Sequence, residues 1–284
     1  MTDAQQFNAD QLAFWNGAGG QTWVARQEHT DIILSPVSKA LLAFAAPRTG
    51  ERVLDIGCGC GATTLEFARA VGPAGHVAAL DISGPMLAEG QTRARAAGIA
   101  NIDWRQADAA TAALDAYDLL VSAFGVMFFG DPVAAFSNMR RAASPGARLA
   151  FVCWRPLNEN PWIAAPMQAV LPHVPPRPGA DPQAPGMFAL ADPGRVSKVL
   201  TAAGWTPPVF EKLDLKLDIA AGRGLQEAVN QASQIGAVNS WLRGQPAEVT
   251  AAALASFRDA LSAHVDGARV RLPGAMWLVS STPA

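Results

Sequence analysis

Residues 53–63 read Val-Leu-Asp-Ile-Gly-Cys-Gly-Cys-Gly-Ala-Thr. An apolar run carries an acid, and a glycine-rich turn behind it opens a helix. Glycine has no Cβ, so such a turn lets the backbone come close to a ligand. The first N–H groups of the following helix lack intrahelical partners and face whatever anionic or strongly polar group sits there. This is the pattern of a βα unit that binds a nucleotide-like cofactor. Residues 57–62 satisfy the looser G-x-G-x-x-G/A dinucleotide fingerprint, which alone is a weak signal. A dinucleotide brings a pyrophosphate, and Asp55, two residues before the first glycine, would repel it. A carboxylate in that place suits a ligand carrying an ammonium or sulfonium charge, and S-adenosylmethionine carries both.

The next two segments extend the pattern. His76 to Ile82 is a short apolar run ending at Asp81. An acid at the carboxyl end of a second strand can accept both ribose hydroxyls, although Asp81 alone would equally serve as a helix N-cap. Asn101 to Asp108 ends in an acid placed to accept from the adenine amino group, or, read alone, in a solvated turn residue. Acids at 55, 81 and 108 thus recur at nearly equal intervals, one per βα unit, a constellation far more specific than the glycines. Ile82 and Met86 follow the ribose acid and suit packing against adenine, where a polarizable sulfur is useful, or simply the core.

With these residues in place, the sequence resembles the class I S-adenosylmethionine-dependent methyltransferases, in particular the small-molecule branch that includes ubiquinone/menaquinone-biosynthesis methyltransferases. Val53–Thr63, Val77–Met86, Gln106–Ala109 and Asp118–Pro132 carry the likeness, with Pro145–Trp154 as a fifth strand and Phe14–Gly17 and Trp23–Val24 as leading helices. It covers residues 12–155 well and is looser from 186 onward. The resemblance implies an α/β fold: a Rossmann-like, doubly wound, seven-stranded sheet, mostly parallel with an antiparallel last strand, with a helical cap from the amino terminus and insertions. It also implies cofactor contacts from Gly57, Cys58, Gly59, Ala109 and Ser122 beside the three acids, and a lid role for Trp15 and Trp23, which read alone are packing anchors. Relatives commonly carry arginine after the serine of the fourth-strand motif; this chain has Ala123.

Periodicity and breakers organise the rest of the chain. Residues 10–46 read as two helices broken near Gly17–Gly20, the second from Asp31 to a stop at Pro47. Helices are expected over Thr63–Val71, Ser83–Ala97 with Ser83 as N-cap, and Pro132–Ala143. Tyr117–Ala123 is an unbroken apolar strand, as expected when both faces are covered, and Ala147–Trp154 is the next. Residues 156–185 hold nine prolines, which regular strand–helix alternation cannot cross. They read as a short helix, Trp162–Val170, and an irregular loop. Helix Asp192–Ala203, strand Val209–Ile219, helices over 223–242 and 247–265, and strand Ala275–Ser281 complete the chain. The organisation expected is a cap over 1–46, a cofactor-binding core over 47–155, a proline-rich insertion over 156–208, and closing strands over 209–284 with a helical insertion over 222–266.

The segment Phe124-Gly125-Val126-Met127-Phe128-Phe129 follows the fourth strand, where ligands lie in doubly wound sheets. It reads as buried loop packing or as the wall of an apolar acceptor pocket, with Phe124, Val126 and Met127 as candidates and Trp154, Trp162 and Met187 opposite. Of four histidines, His29 and His173 fall in segments able to cover the site, and His29 is the candidate general base. The expected reaction is in-line methyl transfer to a small, fairly hydrophobic acceptor, aromatic or quinone-like. The rival readings are a non-methylating reaction on the same scaffold (cyclisation or decarboxylation), since fold does not fix reaction, and a nicotinamide-dependent oxidoreductase.

Composition narrows the partners. A net charge of −2 gives no basic footprint for nucleic acid. Only 16% of residues are charged and half are hydrophobic, so apolar surface is expected at a cavity or a subunit contact, and a homodimer is one form of the latter. Cys58, Cys60 and Cys153 show no metal-ligand spacing, and reduced thiols fit the cytoplasm. The first residues lack the basic and apolar regions of a signal peptide, and no apolar run is long enough for a membrane span.

Overall fold

The computed structural model describes residues 3–177, 184–234 and 236–284. Pro178 and Pro182 of the proline-rich stretch lie outside the described residues. The glycine turn sits where the sequence places it. β1 (Arg52–Ile56) leads through it into α4 (Ala62–Val71). Two further βα units follow: β2 (His76–Asp81) with α5 (Gly84–Ala96), and β3 (Ile102–Gln106). β4 (Tyr117–Ala123), α6 (Pro132–Arg141) and β5 (Ala143–Trp154) complete the parallel part. The chain order in the sheet is β3-β2-β1-β4-β5, so the switch point falls between β1 and β4, above the glycine turn.

Beyond β5 the sheet continues with β8 (Arg269–Ser281) and then β6 (Val209–Asp218). β8 runs antiparallel to both neighbours, as expected for the last strand. Among the described residues the strand count is eight rather than seven. The extra strand, β7 (Val265–Asp266), pairs only with the first residues of β8, across a turn at Gly267 whose φ of +61° only glycine adopts freely. β8 also starts six residues before the expected Ala275. Its leading half buries Val270 and Leu272 in a second core, and Pro273 hides that continuity from a pattern reading because it breaks most strands.

Three helices, not two, precede β1: α1 (Asp3–Asn16), α2 (Ala18–Ala25) and α3 (Gln27–Ala45). The break at Gly17 is where the glycines predict it, and a second one falls at Arg26. α3 continues through Pro36 and ends at Ala46 in the left-handed region. After β5 come α7 (Pro161–Val170) and α8 (Pro193–Ala202), the latter capped by Asp192. The expected helix over 223–242 is α9 (Leu225–Gln234) and α10 (Gly236–Leu242), with Gly236 at φ +77° at the junction; α11 (Ala247–Ser262) follows.

Two cores result. The larger lies between the sheet and its helices, built on Leu41, Leu54, Phe67, Leu120, Phe136 and Phe151. The smaller gathers Val170 of α7, Ala228, Val229, Phe257 and Leu261 of α9 and α11, and Leu272 of β8. The helices between β6 and β8 thus share their apolar faces with the proline-rich segment. They form a helical unit beyond the carboxyl end of β6, against which α3 also rests through His29.

Candidate functional site

A cavity of about 230 Å³ opens above the carboxyl ends of β1, β2 and β4, roofed by α1–α3. Its floor is the glycine turn. Gly57 has φ +67°, and a Cβ there would lie 2.7 Å from Gly125 Cα; a Cβ on Gly125 would lie 2.6 Å from the Ile56 carbonyl. The two glycines let the β1 and β4 turns close on each other. Ser122, fully buried, fastens the same junction by donating to the Ile56 carbonyl (2.7 Å) while accepting from Val126 N (3.2 Å).

The three acids expected from sequence all line this cavity. Asp55 is buried and accepts a 2.6 Å hydrogen bond from Thr64 Oγ1, while its Oδ1 has no partner. Burial, opposed by the Thr64 bond and reinforced by Asp81, pushes its pKa up to about 7. A buried carboxylate oxygen left unpaired inside a cavity has the chemistry to receive a cationic or hydrogen-bond-donating ligand. Asp81 accepts from Gly59 N (2.8 Å, Oδ2) and Ser83 N (2.9 Å, Oδ1). A carboxylate has about four acceptor positions, so those not taken by the two amides remain for the two hydroxyls of a ribose. Burial raises its pKa against those amide bonds. Asp108 accepts from Ala110 N (2.8 Å) and from Asn8 Nδ2 of α1 (3.3 Å).

Gly57, Cys58, Gly59, Ile82, Met86 and Ala109 also line the cavity, as do Trp15 and Trp23 of the roof. Trp15 meets Trp23 edge-on at 6.0 Å and Phe128 at 6.2 Å, the arrangement aromatic quadrupoles favour. The thiols are poor nucleophiles: burial pushes Cys60 up to about 12 and raises Cys58 well above its ordinary range.

The roof is latched by contacts the sequence reading did not foresee. Asn16 donates to the Ile82 carbonyl (2.9 Å) and accepts from Gly84 N (3.0 Å) and Gln106 Nε2 (2.9 Å). Ser83 Oγ donates to the Trp15 carbonyl at 2.6 Å. A fourth carboxylate, Asp31 of α3, also lines the cavity, with Thr30, Leu34 and Ser38. The sequence signal available was only a helical stripe, Thr30–Leu34–Ser38, beside Asp31.

The candidate acceptor residues divide. Phe124, with Phe128 and Phe129, lines the cavity. Its φ is +67°, rare for a side chain of this size, and its ring stacks on Trp154 at 4.4 Å with planes 10° apart. A held backbone outlier beside a cavity is a functional-site signature. Val126 and Met127, by contrast, point into the main core, and Trp154 supports Phe124 from behind. Trp162 packs against Trp154 at 4.8 Å. Met187 packs on the core, and Ser122 acts from below the floor; none of these six is among the lining residues. His29 likewise does not line the cavity. It is buried, its Nε2 is 3.2 Å from the Ile219 carbonyl, and burial lowers its pKa. That geometry packs its ring between α3 and the helical unit, outside the cavity lining. Among the described residues, the charged side chains lining the cavity are Asp31, Asp55, Asp81 and Asp108, and no Lys, Arg or His joins them.

A cavity on a doubly wound sheet whose charged lining residues, among those described, are all acids suits a cationic nucleoside better than a pyrophosphate. The comparisons agree. Residues 53–146 match the methyltransferase-domain family. The chain is 37% identical over 119 residues to aklanonic acid methyltransferase DauC of Streptomyces sp. (strain C5), covering 41% of this chain and 54% of that one. It is 30% identical over 194 residues to nocamycin O-methyltransferase of Saccharothrix syringae, covering 64% and 69%. A ubiquinone/menaquinone biosynthesis C-methyltransferase of Roseobacter denitrificans matches at 34% over 39% of this chain and 45% of its own. The chain thus spans about half the length of most of these relatives. Phosphoethanolamine N-methyltransferase 2 of Haemonchus contortus, solved with S-adenosyl-L-methionine, has the same fold (TM-score 0.58, 15% identity, 100% of this chain and 61% of that one). The chain belongs to the S-adenosylmethionine-dependent methyltransferases, and S-adenosylmethionine is its cofactor.

Proposed function

We propose that the chain moves the methyl group of S-adenosylmethionine by direct in-line displacement onto a small, fairly hydrophobic acceptor with a flat aromatic or quinone-like face. One observation carries the reading: the cavity is acidic where a cofactor would lie and aromatic where an acceptor would approach. Asp81 receives the ribose, Asp108 the adenine edge, and Ile82 and Met86 flank the base. Phe124, Phe128, Trp15 and Trp23 surround the remaining space.

The cofactor supplies the activated methyl group. The protein's part is to align nucleophile and methyl and to exclude water, and orientation alone can supply about 7–11 kcal/mol of such a barrier. The relatives whose names specify an acceptor, aklanonic acid and ubiquinone/menaquinone among them, support a small organic molecule as substrate. The four carboxylates, with no cationic residue in the lining among the described residues, count against a nicotinamide dinucleotide, whose pyrophosphate would be repelled. With His29 outside the lining, an acceptor proton leaves to water or to a cavity carboxylate.

The test is a panel of phenolic, quinol and aliphatic-alcohol acceptors incubated with protein and S-adenosylmethionine, following S-adenosylhomocysteine. Release with aromatic members and none with aliphatic ones is expected. Turnover confined to polar aliphatic acceptors would overturn the acceptor class. No release with any acceptor, despite saturable cofactor binding, would favour a non-methylating reaction.

A further inference from the structure

Asp31, like Asp55, is a lining carboxylate that the adenosine half of the site leaves unused. It projects from α3 of the roof, half-buried. Its Oδ2 takes both of its hydrogen bonds, from Arg93 of α5 (2.5 Å) and from Gln27. Its Oδ1 has no hydrogen-bond partner among the described residues. Arg93 in turn donates to the Cys60 carbonyl at 2.6 Å, so one guanidinium fixes Asp31 against the far end of the glycine turn. That end is the start of α4, where Ala62 and Thr63 line the same cavity.

The shape of the cofactor decides what reaches this place. Adenine, ribose, sulfonium and amino-acid tail follow one another along the molecule. With ribose at Asp81 on β2 and adenine toward Asp108 beyond β3, the tail must run the other way, over the end of β1. There it meets Asp55, whose Oδ1 is buried and unpaired, and beyond it Asp31. We infer that Asp31 is a positioning residue for the cofactor, its free oxygen receiving the α-ammonium of the amino-acid tail. The α4 N-terminus with the Thr63 hydroxyl faces the tail carboxylate. Asp31 belongs to the roof and Asp55 to the sheet, so an ammonium shared between them ties roof to floor, which a nucleoside without the tail cannot do.

This inference rests on the cofactor reading above, and the experiment separates the two. Calorimetry measures S-adenosylhomocysteine and 5′-methylthioadenosine, which lacks the amino-acid tail, against wild type, Asp31→Asn and Asp31→Glu. Asn keeps an acceptor for Arg93 but replaces the anion with a neutral amide. Asp31→Asn is expected to weaken S-adenosylhomocysteine about tenfold, the scale of one lost charge-assisted hydrogen bond, and to leave 5′-methylthioadenosine within about twofold. Asp31→Glu is expected to recover part of the loss. Equal weakening of both ligands would mean that Asp31 only holds the roof, and unchanged binding of both would remove it from the site; either overturns the inference. Wild type binding neither ligand would overturn the cofactor reading itself.

Discussion

Asp55→Asn should make the unliganded protein more stable and a worse binder. Asp55 is buried, and its pKa rises from 3.8 to about 7 because the charged form is desolvated. Between those values the folded state holds a proton that the unfolded chain has released, so folding stability falls as pH rises through this window. Above about pH 7 the carboxylate is ionised in both states and the full cost is present. Each pKa unit corresponds to about 1.4 kcal/mol, so that cost is on the order of 4 kcal/mol, an upper bound because the group borders a cavity open to solvent. Asparagine is nearly isosteric, never ionises, and keeps an oxygen for Thr64. Urea denaturation without ligand should show the variant gaining on wild type as pH rises, by roughly 2–3 kcal/mol between pH 5 and pH 8. S-adenosylhomocysteine, which supplies an ammonium to the wild-type carboxylate, should shrink that gap at pH 8 because it stabilises the wild type more. A gap that is independent of pH, or a variant less stable than wild type at pH 8, would refute the argument that burial of this charge is uncompensated in the empty site.

Three further outcomes follow from the geometry. Asn16→Ala removes two hydrogen bonds between α1 and the β2–α5 junction and a third to Gln106 at the end of β3; proteolysis near the amino terminus should accelerate and S-adenosylhomocysteine affinity should fall roughly tenfold, whereas unchanged cutting would mean the latch is redundant. Phe128→Ala should raise acceptor KM with cofactor affinity within about threefold, while Met127→Ala, in the core, should cost about 2–5 kcal/mol in denaturation with little effect on KM. Asp81→Ala should weaken cofactor binding more than Asp108→Ala, because Asp81 has acceptor positions for two ribose hydroxyls, each worth about 1.5–3 kcal/mol; the reverse order by calorimetry would exchange their assigned partners.

The three acid-ended strands and the glycine turn were legible in sequence because each is local: a strand's end, a turn's backbone and a helix start lie within a dozen residues of each other. Ser83 as an N-cap, and the strand over 117–123, were readable for the same reason. The roof was not. Asn16 reaches Ile82 and Asp31 reaches Arg93 across the fold, and a lone polar residue on a helix gives no sign of a partner more than sixty positions away. The loop after β4 shows the limit of reading by segment. Its residues follow one another in a single 3₁₀ turn (Gly125–Phe128), so neighbours face opposite ways: Phe124 and Phe128 reach the cavity while Val126 and Met127 enter the core. His29 was favoured by position alone, and only the fold places its ring against the Ile219 carbonyl. β7 was missed because a two-residue strand carries no period.

Methyl transfer itself is tested most directly with S-adenosylmethionine carrying a trideuterated methyl group, incubated with the protein and an apolar small-molecule extract and followed by mass spectrometry. The account predicts that an aromatic component gains one trideuterated methyl in step with S-adenosylhomocysteine, and that Asp81→Ala suppresses both. An extract component altered without the label, with S-adenosylmethionine recovered intact, would contradict it.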